Sequence, residues 1–421
     1  MHLSRRAFTI GCSAAIAALA GGRLGSLAYA APTDTTLRDI LVVVSLRGGA
    51  DGLSLVAPTD DPHYVAARSA SLRVADRGAS AGLPLANALA GIDFRLHPLA
   101  AGLRELYDSQ QLAIVHACGL AHGSRSHFEA IDLIERGAPR ARQDGSGWIT
   151  RYLAQIGADR TFGALATTSS LPVALDQSHN AVAMGEASDF ALADGAGRTP
   201  ALLRTLYRGD QPLHRAGIAA LDAIDLVGRA LPRAADGAPL PYEAEHGAEY
   251  PSEWHAAELS NALQTVARMI KMDVGLQVAT VDYGGWDTHD AQTDALPQLV
   301  DGLARALAAF YNDMTRYHQR LTVVVVSEFG RRLRANESGG TDHGYGNALF
   351  VLGGNVNGGR MYGTWPGLAT EQLEDGADLA ITTEYRSVIA EIAQQRLGAP
   401  DLAAIFPQFT PTTALGLLRT S

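Results

Sequence analysis

The chain has 421 residues, with 34 basic and 44 acidic side chains, a formal net charge of −10 and 47% hydrophobic residues. Lys271 is the only lysine and no long basic run occurs, which argues against a nucleic-acid surface and against attachment to anionic lipid. The length suits one large α/β domain or two smaller ones.

The N-terminus reads as an export signal. Ser4-Arg5-Arg6-Ala7-Phe8 is a twin-arginine pattern, followed by an apolar stretch from Ile10 to Ala20 and a small-x-small cleavage site at Ala28-Tyr29-Ala30. That stretch is too short to span a bilayer, so no stable membrane insertion is expected once residues 1–30 are removed. The expected location is the periplasm or the outside of the cell, with export in the folded state. Proteins exported folded often acquire a metal first. Cys12 lies in the signal, which leaves Cys118 alone and excludes an internal disulfide.

From residue 31 to 421 the pattern alternates strand and helix. Residues 40–46 read as a buried strand and 60–95 as loop-rich. Residues 98–108 read as helix and 112–117 as strand. Ser126 to Glu135 reads as a helix with Ser126 as N-cap and Glu129 completing a capping box. Another helix follows at 147–156, then short strands and turns over 171–195, and helix over 198–231. Residues 232–253, rich in Pro, Gly and Glu, read as a long loop or lid. Leu259, Leu263, Val266 and Ile270 share one helix face. Strands are expected at 277–282, 321–326 and 348–353. A long amphipathic helix carries Leu296, Val300, Leu303, Leu307, Phe310, Met314 and Tyr317, and a last helix lies near 384–397. This repetition predicts a mostly parallel central sheet flanked by helices in a single large domain.

Four of the apolar runs lead into polar clusters. Leu41-Val42-Val43-Val44 precedes Arg47-Gly48-Gly49-Ala50-Asp51-Gly52. Leu112-Ala113-Ile114-Val115 precedes His122-Gly123-Ser124-Arg125-Ser126-His127. Val278-Ala279-Thr280-Val281 precedes Gly285-Trp286-Asp287-Thr288-His289, and the four-valine run 323–326 precedes Ser327-Glu328-Phe329-Gly330-Arg331. In a parallel sheet all four emerge at the C-terminal edge, where α/β sheets place their ligands.

Asp287 and His289, two apart, point the same way in an extended segment and can face one metal. With Asp51, Glu328, Asp342 and His343 they make a set of carboxylates and imidazoles suited to zinc, manganese or iron, with calcium less favoured. Asp51 also has a plainer reading as a loop N-cap. Ser126 or Ser124 could supply a nucleophilic hydroxyl at a helix N-terminus, and Arg125 could grip an oxyanion. Equally, Ser126 could be only a cap and Arg125 only a surface ion-pair residue. Arg331 and Arg332 are further candidates for substrate contact. Isolated histidines such as His97 and His116 read as packed side chains, with a role behind the second cluster as the alternative.

These motifs resemble those of the DUF1501 family of exported bacterial proteins. The matching stretches are 46–52, Ser124-Arg125-Ser126-His127-Phe128-Glu129-Ala130, Gly285-Trp286-Asp287-Thr288-His289, 327–331 and Gly340-Thr341-Asp342-His343-Gly344. The family in turn resembles a distant branch of the alkaline phosphatase and sulfatase superfamily. That resemblance implies an α/β core with one or two divalent metal ions at the sheet edge. It implies Asp51 as the early ligand, Ser126 or Ser124 as nucleophile beside Arg125 and His127, and Asp287, His289, Glu328, Asp342 and His343 as the later ligands. Asp287 and His289 are separated by one residue where the superfamily commonly has three. Glu328 is followed by Phe329 where a histidine is usual. The function so implied is metal-dependent hydrolysis of phosphate or sulfate esters, on an anionic small molecule or glycan. The alternative is a non-catalytic envelope protein that binds a glycan, an anionic ligand or a protein partner.

Overall fold

Among the described residues, β-branched runs build the centre of a nine-stranded sheet. The computed structural model describes residues 38–419 apart from 79, 90, 122, 139–144, 158–161, 193–198 and 412. The expected export signal and His122 therefore lie outside the described residues. In chain order the strands are β1 (Ile40–Leu46), β2 (Leu112–Gly119), β3 (Ala164–Ala166), β4 (Ala181–Ala183), β5 (Val278–Tyr283), β6 (Leu321–Ser327), β7 (Asn347–Gly353), β8 (Arg360–Tyr362) and β9 (Thr383–Glu384). They lie side by side as β8-β2-β7-β6-β1-β5-β3-β4, and β9 pairs with the end of β2.

The sheet is mostly parallel, as the alternating pattern predicts. Val42 sits between Ala279 of β5 and Val323 of β6, both parallel partners. One strand departs from the rule. β7 runs antiparallel to both β2 and β6. Strand direction leaves no mark on a run buried on both faces, because every residue is apolar whichever way it runs.

Helices cover both faces. Ile40, Val42 and Val44 face the layer formed by helices Ala101–Asp108, Trp254–Lys271 and Gln292–Asp313. Leu41 and Val43 face the layer that contains Trp148–Gln155 and Tyr385–Gln395. Burying one such Val or Leu fully is worth about 1.5–3 kcal/mol. Leu259, Leu263, Val266 and Ile270 line one buried face of their helix, as the spacing predicts. The helix expected over 198–231 is two helices, Thr199–Leu206 and Pro212–Ala230, broken at the Gly-Asp turn between them. Within the stretch read as loop, Leu83–Pro84 and Phe94–Leu96 join Val56–Pro58 in a small antiparallel sheet, and Pro62–Ala67 forms a short helix. These strands have two or three residues, too few to show a period.

The Pro- and Gly-rich stretch 232–253 is fastened through Asp313. That buried carboxylate accepts from Tyr242 Oη (2.5 Å), Tyr250 Oη (2.9 Å) and the Glu245 amide (2.6 Å), and pairs with Lys271 (2.5 Å). Asp313 ends a helix whose first residue, Gln292, bonds Asp51. At 1.5 Å per residue the two ends are about 31 Å apart.

Candidate metal centre

The C-terminal ends of β1, β2, β5 and β6 release the four polar clusters at one edge. Because β7 runs the other way, the residues before it reach that same edge. The chain first turns through an antiparallel ladder, Arg331–Ala335 with Thr341–His343, which pairs Arg331 with His343. Asn336 closes the turn. Its Oδ1 accepts from the amides of Ser338 and Gly340, and its Nδ2 donates to Asp342 Oδ1 (3.1 Å) and the His289 carbonyl (2.8 Å).

Three imidazoles and one carboxylate meet there. His343 Nε2 lies 3.0 Å from Asp287 Oδ1 and 2.9 Å from His289 Nε2. His289 Nε2 is 3.2 Å from the same Asp287 oxygen, and His127 Nε2 is 3.4 Å from its Oδ2. His127, Asp287 and His343 each offer a ligand atom, all within 4.8 Å of one another. The cluster is open: 47% of the Asp287 side chain and 41% of the His289 side chain remain exposed.

Each ring is held by its other nitrogen. His127 Nδ1 bonds Glu328 Oε1 (2.9 Å), His289 Nδ1 bonds Asp342 Oδ1 (3.0 Å) and His343 Nδ1 bonds the Arg125 carbonyl (2.8 Å). A carbonyl and two carboxylates can only accept, so the network assigns the proton to Nδ1 in each ring. In the neutral rings all three Nε2 atoms are then left with lone pairs. Two lone pairs 2.9 Å apart repel unless a cation or an added proton lies against them. Histidines that bind metal through one nitrogen commonly donate from the other in this way.

The carboxylates are fixed just as closely. Burial would push Asp287 up. Contacts with His343 and Arg331, together with the Arg331 charge, outweigh burial and bring its carboxyl to about 2. Hydrogen bonds with Asn336 and His289 hold Asp342 below the usual carboxylate range. Arg331 is fully buried. It donates to Asp287 Oδ1 (2.6 Å) and to the carbonyls of Gly48, Gly49 (2.6 Å), Trp286 (3.0 Å) and Thr341 (2.7 Å). One guanidinium thus ties three of the site's loops together. Glu328 is buried, and it accepts from the Gly48 amide (2.7 Å) as well as from His127 and Ser327. Gly48 has φ of +122°, and a Cβ there would fall 2.3 Å from the Asp287 nitrogen, so only glycine fits.

Of the residues singled out from sequence, Asp287, His289, His343 and His127 lie at the centre. Glu328 and Asp342 stand behind two of the rings. Asp51 is not brought in. Its carboxylate is fully buried against Arg68 (2.5 and 3.0 Å), Ser54 (2.8 Å) and Gln292 (2.6 Å), so a guanidinium already neutralises it. The Arg125 guanidinium is likewise committed, to Asp375 (3.0 Å) and to Asp378, and lies over the Tyr345 ring. The backbone carbonyl of Arg125 is the part that reaches the centre. Ser126 is exposed at the N-cap of helix His127–Arg136, without the capping bond that Glu129 was expected to complete. Ser124 Oγ accepts from the Ser126 amide (3.0 Å). His116 is a core residue, packed edge-on against Trp365 and bonded to the Val56 carbonyl. Arg68, Gln292 and Asn336 carry no motif that would have marked them.

The chain belongs to the DUF1501 family, described as proteins of unknown function, whose profile matches residues 117–394. No curated protein matches the sequence. Among solved structures the chain is similar to a Pseudoalteromonas sulfatase, with 7% identity, TM-score 0.39, and coverage of 99% of this chain and 78% of that one. It is also similar to the C-terminal periplasmic domain of EptC from Escherichia coli, solved in complex with Zn, with 9% identity, TM-score 0.39, and coverage of 92% and 93%. A protein in the alkaline phosphatase superfamily from Vibrio parahaemolyticus gives 11% identity, TM-score 0.32, and coverage of 86% and 71%. All three likenesses are remote.

Proposed function

We propose that this chain is an exported hydrolase of phosphate or sulfate esters that works with one divalent cation. The observation that carries this reading is the facing pair of Nε2 atoms on His289 and His343, 2.9 Å apart with both Nδ1 protons engaged elsewhere. His127, His289 and His343 through Nε2, and Asp287 through its carboxylate, would hold the ion. Such a donor set favours zinc, manganese or iron over calcium. Asp51 is spent on Arg68, which favours one ion over two. The bound cation would polarise an ester oxygen and make a hydroxyl or water acidic enough to attack. Ser126, exposed where the helix N-terminus favours developing negative charge, is the leading candidate hydroxyl, with Ser124 second. Glu328 and Asp342 keep the rings oriented.

The test is elemental analysis of the purified mature protein beside Asp287→Ala, followed by an ester screen. About one equivalent of metal per chain, lost in the variant, together with ester hydrolysis lost in Ser126→Ala or Ser124→Ala, is expected. Stoichiometric metal retained by Asp287→Ala would refute the site assignment.

One observation favours a second reading. The Arg125 guanidinium, which could have gripped a substrate anion, is closed onto Asp375 and Asp378. A non-catalytic protein that binds a glycan or an anionic ligand through its metal would show bound metal and saturable ligand binding without turnover.

A further inference from the structure

The antiparallel ladder that delivers His343 has a second face. Burial alternates along Arg331–Ala335: Arg331 and Leu333 are buried, Arg332 is half-buried and Arg334 is exposed. Successive side chains of a strand point to opposite faces, so Arg332 and Arg334 share the outward one. Arg331 pairs with His343, which sets Arg332 across the ladder from Asp342. Hydrogen bonds with Asn336 and His289 hold the Asp342 carboxyl down, and the Arg332 charge adds to them. Arg332 therefore stands one carboxylate and one ring away from the His289 Nε2. Asp342 and His289 are both half-exposed, so the surface runs open from the metal centre to the two arginines.

The fold leaves donors on both guanidiniums free. Arg332 shares the buried Asp378 with Arg125, and its Nε lies 3.7 Å from Asp378 Oδ1, beyond hydrogen-bond reach. Neither of those two atoms has a hydrogen-bond partner among the described residues. The Arg332 side chain is 43% exposed. Arg334 makes no side-chain hydrogen bond and no ion pair among the described residues. Two carboxylates nearby are engaged by other partners, Asp342 by His289 and Asn336, and Asp375 by Arg125 (3.0 Å).

We infer that Arg332 and Arg334 form a subsite for a second anionic group, and that the preferred substrate is an ester carrying a further sulfate, phosphate or carboxylate beside the one at the metal centre. The inference rests on the reading of a metal-dependent ester hydrolase. Arg332 meets a different group from the one at the centre, because Asp342 and the His289 ring stand between them. Residues two apart on a strand are about 6–7 Å apart, so both arginines can reach one such group. A guanidinium donates two parallel bonds to a carboxylate, sulfate or phosphate, which fixes its orientation as well as its charge.

The experiment is calorimetric titration of the zinc-loaded mature protein with butanesulfonate and butane-1,4-disulfonate, and with the corresponding hexane pair for a longer reach. In the parent, one of the disulfonates should bind about tenfold tighter than its monosulfonate, as charge-assisted bonds at a half-exposed site allow. In Arg332→Gln/Arg334→Gln that ratio should fall to about two, the statistical advantage of two equivalent groups. Arg334→Gln alone, which removes no contact of the fold, should lower the ratio part of the way. Ratios near two for both pairs in the parent, or a tenfold ratio that survives the substitutions, would overturn the inference. Turnover of an aryl sulfate and an aryl phosphate reads the hydrolase separately: if neither is cleaved while the binding ratio behaves as expected, the hydrolase reading fails and the subsite stands. Binding of none of the probes overturns both.

Discussion

His289 and His343 face each other nitrogen to nitrogen, Nε2 to Nε2 across 2.9 Å, while Asp342 and the Arg125 carbonyl hold the proton on the far side of each ring. While both rings are neutral, neither can donate to the other. The arrangement is stable only with positive charge against it, and Asp287, ionised and braced by Arg331, supplies the anionic wall that such a charge needs.

Glu328 and Asp342 set the direction of two of the lone pairs. Glu328→Gln and Asp342→Asn should each weaken metal binding by roughly 10–100-fold, read by competition with a chelator. Parent affinity in both would mean that packing, such as His127 against Phe329, aims the rings without help.

Arg68 and Asp51 form a pair with both side chains fully buried. Arg68→Met should cost about 3–5 kcal/mol in chemical unfolding, because it strands a buried carboxylate, and adding Asp51→Asn should restore much of that. Burial alone would raise the Asp51 carboxyl, but Arg68, Ser54 and Gln292 outweigh it and hold it below its ordinary value. Its stabilisation is therefore complete above about pH 4 and drains away as pH falls further. Asp51→Asn should keep the metal of the parent. Loss of metal from a variant that is still folded would return Asp51 to the ligand set.

His116 should make the fold sensitive to acid. Burial drives its imidazole down from 6.5 to about 4, against a smaller upward pull from the Val56 carbonyl. A folded-state value below the unfolded one means stability is intact above about 6.5 and falls as pH drops towards 4. His116→Gln should flatten the unfolding free energy over that window. An unchanged slope would assign the acid sensitivity to other groups.

Asp313 fastens the stretch from Tyr242 to Tyr250 far from the metal centre. Asp313→Ala leaves Lys271 and two tyrosines without their shared acceptor, a loss of about 3 kcal/mol or more. Limited proteolysis should then cut within 232–253 while metal content stays at the parent level. Metal loss on cleavage would show that this stretch bears on the site.

Much of the fold can be read from the chain, because valine-rich runs followed by Gly, Asp and His place strand ends without ambiguity. Asp287 and His289 are two apart and share a direction, so their convergence is legible as well. Other relationships are set by distance in sequence. Arg68 comes from a stretch with no period, and nothing local shows that it reaches Asp51. Ser126 and His127 are neighbours on a helix start, and only the turn of the backbone decides that the imidazole, with Glu328 behind it, faces the carboxylate. Arg125 reads equally as an oxyanion grip and as an ion-pair residue, and the choice is made by Asp375 and Asp378, 250 residues and more away.

β7 has seven buried residues, all but Asn347 without a polar side chain, and runs against its neighbours. Hydrogen-bond ladders form almost equally well in either direction, so core burial does not demand the reversal. Turned round, the same strand would keep the interior filled and deliver His343 to the opposite rim of the sheet, about 23 Å from Asp287 at 3.3 Å per residue. The polarity of one strand therefore separates a chain that merely folds from one whose distant residues can share a ligand. An engineer who permuted or rethreaded this segment would learn which of the two had been kept by measuring bound metal rather than melting temperature.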